Sequence, residues 1–266
     1  MPGCWRGGDR FDYLIQKEEN FLTAQITQQK GFRGGFYFLG LLVLALGITM
    51  NTKAGLGVSP IISISYCASV IWSRNFGNMT LVLYSVLLLV EMVFHCLSYR
   101  REQRQGVEGS RKLSMVLLLD ALQFPLSLVF TRFLNGFSAR IPNLATDCTG
   151  AFWGTLTGRV IFLLAAIVLT GVGAALSLSM RVIPNPGDGI VQAIADFSGK
   201  SMGFTKNCLD ISCVALAVLI GWMASGHVVG IGLGTILSML GVGRVVAVFQ
   251  HFCFRKTAVL AGLPLS

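Results

Sequence analysis

Charge is what this chain has least of. Only 12% of its 266 residues are Asp, Glu, Lys or Arg, about half the share of a soluble domain. Carboxylates are the scarcer sign, with 12 Asp and Glu against 21 Lys and Arg. Histidine occurs three times (95, 227 and 251) without metal-ligand spacing, and the seven cysteines include no Cys-x-x-Cys pair. Spacing therefore offers no metal or redox centre, and no cofactor is expected. Gly230–Gly234 has neither the strand–turn–helix context nor the Lys-Ser/Thr of a nucleotide loop. No Ser-His-Asp or Cys-His arrangement is legible, so the chain does not read as an enzyme. The net charge of +9 does not point to nucleic acid, because the basic residues cluster between apolar runs, as the positive-inside rule requires of a membrane protein.

Apolar residues make up 53% of the chain, and the mean hydropathy is +0.69. These values predict an all-α polytopic membrane protein whose main partner is the lipid bilayer. Crossing a hydrocarbon core takes about 20 apolar residues. Six segments qualify: Gly34–Thr52, Met79–Leu97, Leu113–Leu134, Arg159–Met180, Lys206–Met223 and Val228–His251. Two more are too short to span. Pro60–Trp72 and Gly187–Phe197 reach roughly 20 and 16 Å as helices.

Each short segment follows a break in an apolar run. The first break reads Lys53-Ala54-Gly55-Leu56-Gly57-Val58-Ser59-Pro60, and the second Arg181-Val182-Ile183-Pro184-Asn185-Pro186-Gly187-Asp188-Gly189. Matching breaks in two halves of a membrane protein point to a substrate or ion site. If both short segments dip in and return, the basic residues of the tail, of the 100–112 loop and of Arg181, Lys200, Lys206, Arg255 and Lys256 share one side. Only Lys53, Arg74, Arg140 and Arg159 are left on the other. Letting all eight segments span divides the charges less cleanly. The expected architecture is six transmembrane helices plus two re-entrant half-helices, with both termini cytoplasmic.

Three crossings per half make the halves an inverted repeat. At one common offset Pro60 aligns with Pro186, Arg74 with Lys200 and Gly77 with Gly203. The expected organisation is a cytoplasmic tail over 1–33, a first membrane half over 34–134 and an extracytoplasmic loop over 135–158. A second half over 159–252 and a cytoplasmic tail over 253–266 complete it. The first tail has no apolar core and does not read as a secretory signal.

Extended arms of about 23 and 17 Å would start both short helices near the midplane. Ser59-Pro60 and Asn185-Pro186 are helix-start signals, an N-cap followed by Pro at the first position. Two helix N-termini converging from opposite faces suit an anionic or carbonyl-bearing solute. Ser59, Pro60, Asn185, Gly187, Asp188 and Gly189 are the candidate substrate residues. Asp188 can equally cap its own helix. Four further charges fall within or beside spans. Asp120 is a proton carrier or a structural acceptor bonded to Gln123 or Ser127. Glu91, with His95 one turn later, is a site residue or an interfacial snorkeller. Asp210 is a site residue or, more simply, the partner of Lys206 in a one-turn pair at the membrane surface. Arg244 snorkels, or pairs with Asp120 or Glu91.

Several motifs occur in order: Ala54–Pro60, Leu122-Gln123-Phe124-Pro125-Leu126-Ser127, Pro186–Val191, Gly203-Phe204-Thr205-Lys206-Asn207-Cys208-Leu209-Asp210 and Gly234-Thr235-Ile236. Through them the chain resembles the YczE/YyaS/YitT-type family of bacterial integral membrane proteins, in its DUF6198-like branch. The resemblance spans about residues 34–252 and implies a bacterial inner-membrane location, but it implies no activity. Relatives often carry an acidic residue just after the first Ser-Pro and another before the last Gly-Thr. Here Ile61 and Ile62 follow Pro60, and Leu233 precedes Gly234-Thr235. The expected role is a small-solute transporter or channel. A non-transporting scaffold or regulator of a partner protein is the alternative. The sequence does not decide oligomeric state.

Overall fold

The computed structural model describes residues 31–104, 112–180 and 182–260. Most of the expected N-terminal tail, the end of the C-terminal one and Arg181 lie outside them. Among the described residues the regular structure is helical: α1 (Gly31–Lys53), α2 (Pro60–Ile71), α3 (Phe76–Arg104), α4 (Leu113–Arg140), α5 (Leu156–Ser179), α6 (Pro186–Ser198), α7 (Met202–Ser225) and α8 (Leu233–Leu260). A single 3-10 turn, Phe152–Gly154, precedes α5. Six helices are long and apolar enough to cross a bilayer, and α2 and α6 are the two short ones. The last helix continues to Leu260, past residue 252 where the membrane half was expected to end.

Local chemistry sets the boundaries. Pro60 and Pro186 stand in the first turns of α2 and α6, after Ser59 and Asn185 as N-caps. A proline costs nothing there, since the first turn's N–H groups have no intrahelical partner. Thr155 and Ser201 accept from the backbone N–H groups of Gly158 and Phe204 to start α5 and α7. Gly199 and Gly226 end α6 and α7 in the left-handed conformation.

Helices pack through small residues, as expected where lipid supplies no hydrophobic drive between them. Gly40 and Gly47 of α1 lie against the backbone of Ser177 and Thr170 on α5, and Gly173 of α5 lies against Leu44. A buried core of Leu41, Leu44, Leu83, Tyr84, Phe130, Leu134 and Ile190 joins α1, α3, α4 and α6. The short helices pack reciprocally: α2 lies on α7 and α6 lies on α3. α3 and α4 pack closely, whereas α7 and α8 barely touch.

The first break is held by hydrogen bonds to other segments. Val58 N–H donates to Gly230 O (2.9 Å), Gly234 N–H to Leu56 O (2.8 Å) and Leu144 N–H to Lys53 O (3.0 Å). Arg159, at the start of α5, donates to Ala54 O at 2.8 Å and also to Gly55 O. Gly57 has φ 123°, with Gly232 N and Thr235 too close to admit a side chain. Hydrogen bonds to charged donors contribute about 1.5–3 kcal/mol. Arg159→Ala should therefore lower the thermal midpoint in detergent measurably. Arg159→Lys should restore only part of the loss, because an ammonium lacks the fork that reaches both carbonyls. Equal midpoints for all three proteins would show that this clasp carries no stability.

Candidate functional site

A cavity of about 550 Å³ is lined by residues of α1, α2, α3, α5, α6 and α8 and of the first turns of α7. Its walls are mostly apolar, including Leu44, Ile48, Ile62, Val191, Val242 and Val246, and its polar groups are Ser59, Tyr84, Thr170, Asn185, Asp188, Lys206 and Gln250. Residues of both breaks meet there. Ser59, Asn185, Gly187 and Asp188 line it together, so the N-termini of α2 and α6 converge on one space. Neither N-cap side chain bonds its own helix. Asn185 instead donates its amide N–H to the Tyr84 hydroxyl (3.3 Å). The Tyr37 hydroxyl secures the same arm by donating to Ile183 O (2.8 Å).

Asp188 sits in the first turn of α6, where its charge is favoured by the helix dipole. Lys206, in the first turns of α7, lines the same cavity. Lys206 also pairs with Asp210 at 3.5 Å, the one-turn pair that the sequence suggests. Asp210 is buried, however, and its Oδ1 has no partner among the described residues.

A second pocket, about 390 Å³, lies on the other side of the first break and is lined by Thr52, Gly55–Val58, Tyr66 and Gly230–Leu233. Val58 lines this pocket and Ser59 the cavity, so the first break contributes to both.

The remaining candidates gather elsewhere or stay apart. Pro60 is buried and lies outside the cavity lining. Gly189 faces away from the cavity, and a Cβ built there would meet Glu91 Oε1 at 2.5 Å. Glu91 is 2% exposed, which corrects the snorkelling alternative. It faces inward across α3–α4, accepting from Gln123 Nε2 at 2.8 Å. Asp120 is also buried and bonds His95 Nδ1 at 2.8 Å, rather than Gln123 or Ser127. Arg244 is exposed on α8 and makes no ion pair with Asp120 or Glu91 among the described residues. Tyr84, Lys206 and Gln250 are cavity residues that the sequence pattern does not mark. Lys206 carries the best signal of the three, a basic residue at the head of a span that also bears Asp210.

A family model described as a family of unknown function, DUF6198, matches residues 32–251. The uncharacterized membrane protein YczE of Bacillus subtilis (strain 168) is 22% identical over 248 residues, covering 90% of this chain and 99% of that protein. The uncharacterized protein YyaS of the same organism is 23% identical over 215 residues, 81% of this chain and 90% of that protein. An uncharacterized protein of Haemophilus influenzae is 33% identical over 100 residues, 38% of this chain and 43% of that protein. No solved structure matches.

Proposed function

The chain belongs to the DUF6198 family, whose function is unknown, and from its cavity we propose a transporter or channel for a small solute. The observation that carries this reading is the meeting of both breaks, through Ser59, Asn185 and Asp188, in one cavity. The mostly apolar walls and the few polar groups among them suit a small solute with an apolar body and one polar or ionised group. Two helix N-termini and Lys206 favour an anionic or carbonyl group, and Asp188 an N–H donor beside it.

In this reading α2 and α6 are re-entrant half-helices of an inverted repeat. Their reciprocal packing on α7 and α3 supports it, because a pseudo-two-fold axis exchanges those two contacts. With both termini cytoplasmic, in a bacterial inner membrane, the cavity faces inward and the first break closes the outer side. The alternating path then runs between the two pockets past the first break. The rival role, a scaffold or regulator of a partner protein, needs no water in this space.

Thiol labelling separates the two. In a cysteine-free background in membranes, Ser59→Cys and Asn185→Cys should react with a charged, water-borne maleimide, while Ala45→Cys, fully buried between helices, should not. Protection of all three positions would favour a dry, packed scaffold and remove the transport reading.

A further inference from the structure

We propose that Glu91, His95 and Asp120 form a site for one divalent first-row metal ion, such as Zn²⁺ or Mn²⁺, within the α3–α4 pair. One ligand atom from each lies within 4.8 Å of the others. The site stands apart from the cavity, on the far side of α6, and does not depend on solute transport.

Four observations carry it. The first is side-chain type and placement. Glu91 and His95 share one face of α3 a turn apart, and α4 supplies Asp120 opposite them. One imidazole nitrogen and two carboxylates suit Mn²⁺, Fe²⁺, Co²⁺ or Zn²⁺ better than alkaline-earth ions, which take oxygen alone. Metal–ligand bonds of about 2.0–2.2 Å put ligand atoms roughly 4 Å apart or less. Small side-chain rotations are enough to close the set.

The second observation is unsatisfied bonding. Glu91 Oε2 is buried without a partner among the described residues, as is Gln123 Oε1 beside it. With Glu91 ionised both orphans are acceptors, and a cation satisfies them; the alternative that leaves the site empty is a proton on Glu91. Leaving such acceptors bare costs about 1–3 kcal/mol each, and more for a charged group.

The third is orientation. Gln123 Nε2 donates to the other Glu91 oxygen, a contact of the kind that orients a ligating carboxylate. His95 Nδ1 and Asp120 Oδ2 stand 2.8 Å apart, the spacing of two neighbouring ligand atoms on one ion.

The fourth is the wall. Any residue larger than glycine at 189 would occupy the space of the Glu91 carboxylate. α6 is thus shaped to let that carboxylate in.

The test uses the tag-free full chain, purified in detergent with His227 and His251, both exposed, replaced by alanine. Equilibrium dialysis against Zn²⁺ should give one ion per chain. Affinity should fall at least tenfold in His95→Ala and in Asp120→Asn, and should be unchanged in Asp188→Asn. Pulsed electron paramagnetic resonance of the Mn²⁺-loaded chain should show coupling to one imidazole nitrogen, a result that needs no further variant to fold. Failure to bind either ion saturably, binding that survives His95→Ala, or a Mn²⁺ spectrum without nitrogen coupling would each overturn the site.

Discussion

Replacing Gly47 with leucine should cost a large share of the folded protein. A Cβ at this position would stand 2.5 Å from the backbone nitrogen of Thr170 and 2.9 Å from its Cα. The obstacle is main chain and cannot rotate away. α1 and α5 would have to part, and with them the contacts at Gly40 and Gly173 on the same seam. Overpacking of a close-fitted interface costs about 1–3 kcal/mol, and backbone obstacles sit at the upper end. For a chain of this size that corresponds to a fall of roughly 6–12 °C in the thermal midpoint, if each kcal/mol shifts it by about 2–4 °C. Size-exclusion chromatography after a heating series reads the loss directly. Gly203→Ala and Gly243→Ala, where nothing lies within 4 Å of the added carbon, are the controls and should leave the midpoint in place. A Gly47→Leu protein as stable as these controls would show that the α1–α5 contact is looser than its geometry.

The second large effect concerns Asp188. Asparagine keeps the shape of the side chain and removes its charge. If a solute's polar group bonds the carboxylate, the lost charge-assisted bond is worth about 1.5–3 kcal/mol, or roughly a tenfold to hundredfold loss of uptake. Proteoliposomes loaded against a panel of small amphipathic acids, amides and amino compounds would identify the solute, and Asp188→Asn should then lose at least nine-tenths of its flux. Ser59→Ala removes a neutral partner and should lose less, about two- to tenfold. Full flux in Asp188→Asn would take Asp188 out of the transport path. Absence of flux for every solute in the unaltered chain would count against transport itself.

Much of the architecture was legible because it depends on short-range patterns. The short segments expected at Pro60–Trp72 and Gly187–Phe197 appear as Pro60–Ile71 and Pro186–Ser198, since proline and its preceding cap mark a helix start locally. The six long helices follow from hydropathy, although α3 runs on to Arg104 and α4 to Arg140. Apolar length predicts where lipid ends, and a helix can continue beyond it into water. The convergence of Ser59, Asn185 and Asp188 was also legible, from arm length and helix polarity.

The Glu91 cluster was not. Glu91 and His95 show their one-turn spacing in sequence, but Asp120 and Gln123 reach them only because α4 folds back along α3. Nothing in the local pattern of either helix fixes that rotation. Gly189 misled for the same reason. It sits in a motif beside Asp188, yet on a helix adjacent residues point about 100° apart, and its open side belongs to Glu91. The gap between α7 and α8 had no signal either. Both helices carry ordinary apolar sequences, and their separation is decided by what α2 and α5 occupy.

The reciprocal placement of α2 on α7 and α6 on α3 also bears on how the protein is made. A ribosome delivers the chain in order, so α2 leaves the tunnel long before the surface that will cover it exists. Until then Ser63 and Cys67, both buried in the finished protein, lack the α7 carbonyls of Cys213 and Ala217 that they bond. The buried face of α2 is covered only once α7 is inserted. Truncation after α4 would therefore leave a fragment for the quality-control proteases, whereas the two halves expressed as separate chains should rescue each other.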